Sequence, residues 1–198
     1  MSQKIFFLNY INQHLDLSEE ETNYFFNLLS TKKYNKNEII LRRNSICKSQ
    51  YFITKGVLVA YEIDKKGEEH VIQIGLENSW IGDLESYTKN IKCNRIIKAD
   101  CDCELLLLDQ INYKKLLENY PVFEKLFRIL FQNAYIHQTQ RISMMLKTDM
   151  KSRIKYFFEN NENLKGKVEL KIIASYLGMS PETLSRLKKS IDINQLKS

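Results

Sequence analysis

Seven side chains close to the C-terminus carry the most readable chemistry: Ser180, Glu182, Thr183, Ser185, Arg186, Lys188 and Lys189. Together they offer a carboxylate, hydroxyls, a guanidinium and two ammonium groups, the set that meets base edges and phosphates in a DNA groove. The segment Leu170–Lys189 predicts the frame that would hold them, two short helices joined by a tight turn. Ile173, Leu177, Met179, Leu184 and Leu187 supply apolar contacts between two crossed helices, and Ala174 is small where they approach. Gly178 falls where the first helix must end with positive φ. Ser180 is a good N-cap, and Pro181 suits the first helical position, where a missing N–H costs nothing. The pattern is a helix-turn-helix with a recognition helix.

Charge supports an anionic partner. The 198 residues carry 30 Lys/Arg and 24 Asp/Glu, a net charge of +6. From Lys147 to Ser198 there are 11 Lys/Arg against 6 Asp/Glu, so nearly all of the excess lies with the helix-turn-helix. A phosphate backbone calls for that distribution. Hydrophobic residues make up 43% of the chain, enough for a packed core. No apolar run approaches a membrane span, and Ile5-Phe6-Phe7-Leu8 is too short for a signal segment. A cytoplasmic location and no membrane partner are expected, with the four cysteines as free thiols.

The rest of the chain divides by periodicity. Residues 1 to about 30 read as helical, with a capping box at Ser18 and Glu21. From about 38 to 108 the pattern is short strands, including Tyr51–Thr54, Val57–Tyr61 and Val71–Ile74, punctuated by Gly56, Asp64–Gly67 and Gly75. Ile97, Ala99, Cys101, Cys103, Leu105 and Leu107 alternate with polar residues, which predicts one buried face along residues 95–108. Helical period returns near Asp109. A long helix is predicted from about Pro121, apolar nearly all round in its first half, so that one side packs on the β-domain and another on a partner subunit. Phe127, Leu130 and Ala134 are expected on or next to that subunit interface. A further helix, Met150 to Phe158, leads into the basic segment.

This order of elements resembles the Crp/Fnr family of transcription regulators. The run Ile173–Arg186 matches the family pattern I-A-x-x-L-G-x-S-x-E-T-x-S-R. Tyr51-Phe52-Ile53 with Gly56 resembles its first hairpin, and Ile81-Gly82-Asp83-Leu84 its Gly-Glu-Leu loop. The resemblance implies an α+β chain. Residues 1–118 would form a cyclic-nucleotide-binding-type β-roll, double-stranded and cupin-like. Residues 119–146 would be a dimerisation helix, and 147–198 a helix-turn-helix domain with a shortened or missing wing. It further implies a homodimer on double-stranded DNA at an inverted repeat, with RNA polymerase as a further partner. Glu182 and Arg186 stand where the family reads bases. Pro181 replaces a third reading position and can donate nothing.

The effector loop departs from the family. Gly82, Asp83, Leu84 and Arg95 are the candidate effector residues. However, Lys92-Cys93-Asn94-Arg95 stands where cyclic-AMP-binding members carry an Arg-Ser pair, and Asp83 replaces a glutamate. Regulation not through cyclic AMP is expected, with the small-molecule effector open. Cys47, Cys93, Cys101 and Cys103 lack an iron–sulfur grouping. Cys101 and Cys103 are expected on one buried strand face, and His14, His70 and His137 are scattered, so no metal and no cofactor are expected. No nucleophile triad or nucleotide-binding glycine loop is present, so no enzyme is predicted. The alternative reading is a ligand-sensing or protein-interaction module of the same fold that does not bind DNA specifically.

Overall fold

Alternating apolar residues build two antiparallel four-stranded sheets. The computed structural model describes residues 3–161, 164 and 166–190. The first sheet runs β1 (Ser30–Tyr34), β8 (Cys103–Asp109), β3 (Ser49–Lys55), β6 (Trp80–Ile81). The second runs β2 (Ile39–Leu41), β7 (Arg95–Ala99), β4 (Leu58–Ile63), β5 (Glu69–Gly75). Their inner faces meet in a core containing Ile53, Leu58, Ala60, Ile97 and Leu105. This is the expected β-roll.

Each sheet also buries its outer face. On the first, Phe52, Leu106 and Leu108 pack against Phe7 and Ile11 of α1 (Gln3–Ile11), Phe25 of α2 (Glu19–Leu28), Leu116 of α4 (Gln110–Asn119) and Phe123 of α5 (Val122–Lys147). On the second, Val57 beside β4, with Val59, Tyr61 and Val71, packs against Ile154 and Phe157 of α6 (Met150–Asn160), Ile173 of α7 (Leu170–Tyr176) and Leu184 of α8 (Pro181–Ser190). Helices α6, α7 and α8 and the β-roll therefore share one apolar core.

This layering corrects the expectation of one buried face along residues 95–108. β7 and β8 are separate strands, and β8 is buried on both faces, because Leu105 faces the other sheet while Leu106 and Leu108 face helices. A strand covered on both sides reads as a continuous apolar run, as Leu105–Leu108 does. Cys101 lies in the turn before β8 and is half-buried, so it does not share a strand face with Cys103. The N-terminal helical stretch is likewise interrupted. α1 ends at Ile11 and α2 starts after Ser18, whose Oγ accepts from the Glu21 N–H at 3.2 Å while Glu21 Oε2 accepts from the Ser18 N–H at 2.8 Å. Two elements lay outside the expected set. β1 pairs with β8 from Ser30 to Tyr34, and α3 (Leu84–Lys89) follows the Gly82 turn.

α5 is one continuous helix that begins after Pro121. Phe123, Leu126 and Phe127 are buried in the helical layer, so its first turns belong to the subunit's own core. Beyond them the apolar side chains emerge. Tyr135 is 74% and Leu146 81% exposed, and Phe131, Ile136 and Ile142 are also exposed.

Candidate nucleic-acid interface and effector cavity

The turn between α7 and α8 is set by backbone chemistry. The Met179 N–H donates to Ala174 O at 3.0 Å and the Gly178 N–H to Ser175 O at 3.0 Å, the paired bonds that close a helix over a left-handed residue. Gly178 supplies that residue at φ +70°. Ser180 then caps α8, its Oγ accepting from the Thr183 N–H at 3.2 Å and lying 3.2 Å from Thr183 Oγ1. Both Ser180 and Thr183 are thus engaged in forming the helix start.

The helical period sorts the other candidates. Glu182, Ser185, Arg186 and Lys189 are exposed and recur at i, i+3, i+4 and i+7, so they share one face of α8. Leu184 is buried on the opposite side. Lys188 shares the side of Leu184, with its Nζ 5.4 Å over the Phe158 ring, and so stands away from that exposed face. Hydrogen bonding to the Ser180 side chain, and then to the helix's own N–H, holds the Glu182 carboxyl below its ordinary value, so it is an acceptor at neutral pH. An exposed carboxylate, hydroxyl, guanidinium and ammonium on one helical face can contact bases and phosphates together.

α5 holds this unit against the β-roll. The Arg141 guanidinium donates to Ile72 O at 3.2 Å and to Tyr176 O at 2.9 Å, and lies 4.1 Å from the Tyr176 ring centroid. Beside it the Val71 N–H of β5 donates to Ser175 Oγ of α7 at 2.9 Å.

Of the interface candidates, Phe127 is buried against Phe25 and Tyr113, Leu130 is half-buried and Ala134 is exposed. A neighbouring stripe of apolar side chains is exposed on the same helix: Phe131, Tyr135, Ile142 and Leu146. Their spacing of four, seven and four residues places them along one side of α5 and is legible in the sequence.

Three of the four effector candidates line one cavity. It lies between the open end of the β-roll and α5, encloses about 300 Å³, and includes Gly82, Leu84 and Arg95 in its walls. Asp83 is engaged elsewhere, where its Oδ1 accepts from the Ser86 N–H at 2.9 Å and caps α3. Arg95 Nη1 donates to Gly82 O at 3.2 Å, and Nη2 stands 3.9 Å from Glu62 Oε1. Gln50 and Gln73, which the sequence alone does not single out, also line the cavity.

The thiols sit in apolar surroundings. Burial pushes the Cys103 thiol up to about 12 and raises that of Cys47, so both are protonated and poorly nucleophilic. Asp64, Glu68 and His70 cluster at the β4–β5 turn, with ligand atoms within 4.8 Å of one another. Asp64 Oδ1 accepts from the Lys66 and Glu68 N–H groups and Oδ2 meets His70 Nε2 at 3.1 Å, a network that fixes the turn. Among the described residues no helix is long and apolar enough to cross a membrane.

Comparison with known proteins agrees with this geometry. Residues 31–120 match the cyclic nucleotide-binding domain family. A Crp/Fnr-family protein from Eubacterium rectale superposes with a TM-score of 0.68 at 19% identity, covering 94% of this chain and 88% of that one. The chain has the Crp/Fnr fold. The anaerobic regulatory protein of Pasteurella multocida is 23% identical over 186 residues, 86% of this chain and 66% of that protein. The rabbit potassium/sodium hyperpolarization-activated cyclic nucleotide-gated channel 1 is 27% identical over 130 residues, 66% of this chain. The chain spans 14% of that channel's length.

Proposed function

We propose that the chain is a DNA-binding transcriptional regulator of the Crp/Fnr type. It acts as a homodimer on an inverted repeat, and binding rather than catalysis is its work. The observation that carries this reading is the α8 face of Glu182, Ser185, Arg186 and Lys189, exposed on a helix whose start is fixed by Ser180 and Gly178. Arg186 reads a guanine, Glu182 accepts from a cytosine, and Lys189 meets phosphate. The α5 stripe from Phe131 to Leu146 pairs two subunits and sets two recognition helices about one helical turn of DNA apart. RNA polymerase is the further protein partner, and the cytoplasm, where thiols stay reduced, is the compartment.

Cyclic AMP is not the effector in this reading. Asp83 caps α3, and Cys93 and Asn94 bring no charge to the place of the Arg-Ser pair. The deciding experiment is selection from random duplex DNA, with sequencing of the retained pool. An enriched inverted repeat supports the proposal. A pool with no motif would instead favour a sensing or protein-interaction module that does not bind DNA specifically.

A further inference from the structure

The cavity beside α5 has polar atoms that nothing in the protein satisfies. Gln50 Nε2, Trp80 Nε1 and Arg95 Nε are buried without a hydrogen-bond partner. All three residues line the cavity, and Arg95 has committed only one N–H, to Gly82 O, besides its long approach to Glu62. Buried donors are normally paired, so three of them around one hollow mark the place of an acceptor. The Gln50 side chain lies so close over Gly82 that any Cβ there would collide with it. A larger residue at position 82 would displace the amide.

The opposite walls are of another kind. Tyr87, Leu108 and Tyr113, with Leu130 and Phe131 of α5, surround the hollow with rings and methyl groups. A volume of about 300 Å³ is at the small end for ligand cavities. The ligand that fits one fixed cation, one amide donor and apolar walls is a small anion with an apolar body. A planar carboxylate matches the fork of the Arg95 guanidinium.

We propose that this cavity binds a small carboxylate with an aliphatic or aromatic body, its two oxygens held by Arg95 and Gln50 and its body against Leu130 and Phe131. Because those two residues lie on α5, occupancy bears on the helix that the regulatory reading assigns to dimer pairing. The inference rests on that reading for the role of the ligand and not for its binding.

Calorimetry on the full chain with benzoate and octanoate, against benzamide and octanamide, tests the chemistry, with cyclic AMP as a third probe. At least one carboxylate is expected to saturate with a Kd below about 1 mM, and its amide to bind at least about tenfold more weakly. Arg95→Gln is expected to lose at least about tenfold, with Arg95→Lys between it and the wild type. Ala134→Trp fills the cavity from the α5 side and abolishes binding without touching Arg95, which covers the case of an Arg95 variant that does not fold. Absence of saturable binding by both carboxylates up to about 10 mM overturns the proposal. So does equal binding of acid and amide, or binding of cyclic AMP in their place. DNA selection with ligand-free wild type separates the two failures, since it depends on α8 and not on Arg95.

Discussion

Arg141 of α5 and Tyr176 of α7 form a double contact. The guanidinium donates to the Tyr176 carbonyl at 2.9 Å and lies 4.1 Å from the centroid of the same residue's ring. A second N–H reaches Ile72 O of β5 at 3.2 Å, so one side chain joins α5, α7 and the β-roll.

That junction has a measurable worth. Burial of Arg141 disfavours its charged form and lowers its pKa from the ordinary value, yet its hydrogen bonds to carbonyls hold it in place. Arg141→Ala strands those acceptors and removes the ring contact, and is expected to cost about 2–3 kcal/mol. Urea unfolding checks it through the shift in midpoint at constant slope. An unchanged midpoint would show that the junction is held by the apolar core alone.

The α5 stripe makes a second case. Phe131, Tyr135, Ile142 and Leu146 are exposed at the spacing of a helix seam. Ile142→Glu places a charge in the centre of the paired helices and is expected to give monomers, since burying an unpaired charge costs several kcal/mol. Light scattering at micromolar concentration reads the mass directly. A monomeric wild type would contradict the pairing.

Gly178 is the third. Its φ of +70° is unfavourable for a residue with a Cβ, and a Cβ there would stand 2.9 Å from Met145 Cε of α5. Gly178→Ala is expected to lose about 1–2 kcal/mol from the left-handed backbone. The Met145 end is flexible and can yield, so the backbone term dominates. Thermal melting with Gly178→Asn, which tolerates the left-handed region better, serves as the control. Equal melting of the alanine and glycine forms would mean the turn relaxes out of that conformation.

What could be read from the chain was local chemistry. The caps at Ser18 and Ser180 and the turn at Gly178 each depend on neighbours within a few residues, and all form as expected. β1 was missed because it is an edge strand, Ser30-Thr31-Lys32-Lys33-Tyr34, in which only Tyr34 is buried. It belongs to the sheet through pairing with β8, over seventy residues away, and has no apolar period of its own. The two-faced burial of β8 was missed for the converse reason: its outer layer comes from α1, α2, α4 and α5, whose docking no single stretch encodes. Lys188 and Lys189 are adjacent in sequence, but neighbours in a helix point about 100° apart, and the Lys188 ammonium lies over the Phe158 ring. Of the cavity lining, Arg95 is singled out through the resemblance. Gln50 was not found, because nothing about a glutamine at the start of a strand signals an unpaired amide.

The most direct test is of the α8 face. Fluorescence anisotropy with the selected inverted repeat and a scrambled duplex, at matched salt, compares wild type with Arg186→Ala and Lys189→Ala. Wild type is expected to prefer the selected site by at least about 10³-fold. Arg186→Ala is expected to lose about 1–3 kcal/mol on that site alone and to relax one base position per half-site. Lys189→Ala is expected to weaken both duplexes alike and to flatten the salt dependence. If wild type bound both duplexes equally, or Arg186→Ala left the preference intact, the assignment of α8 as the recognition helix would be contradicted.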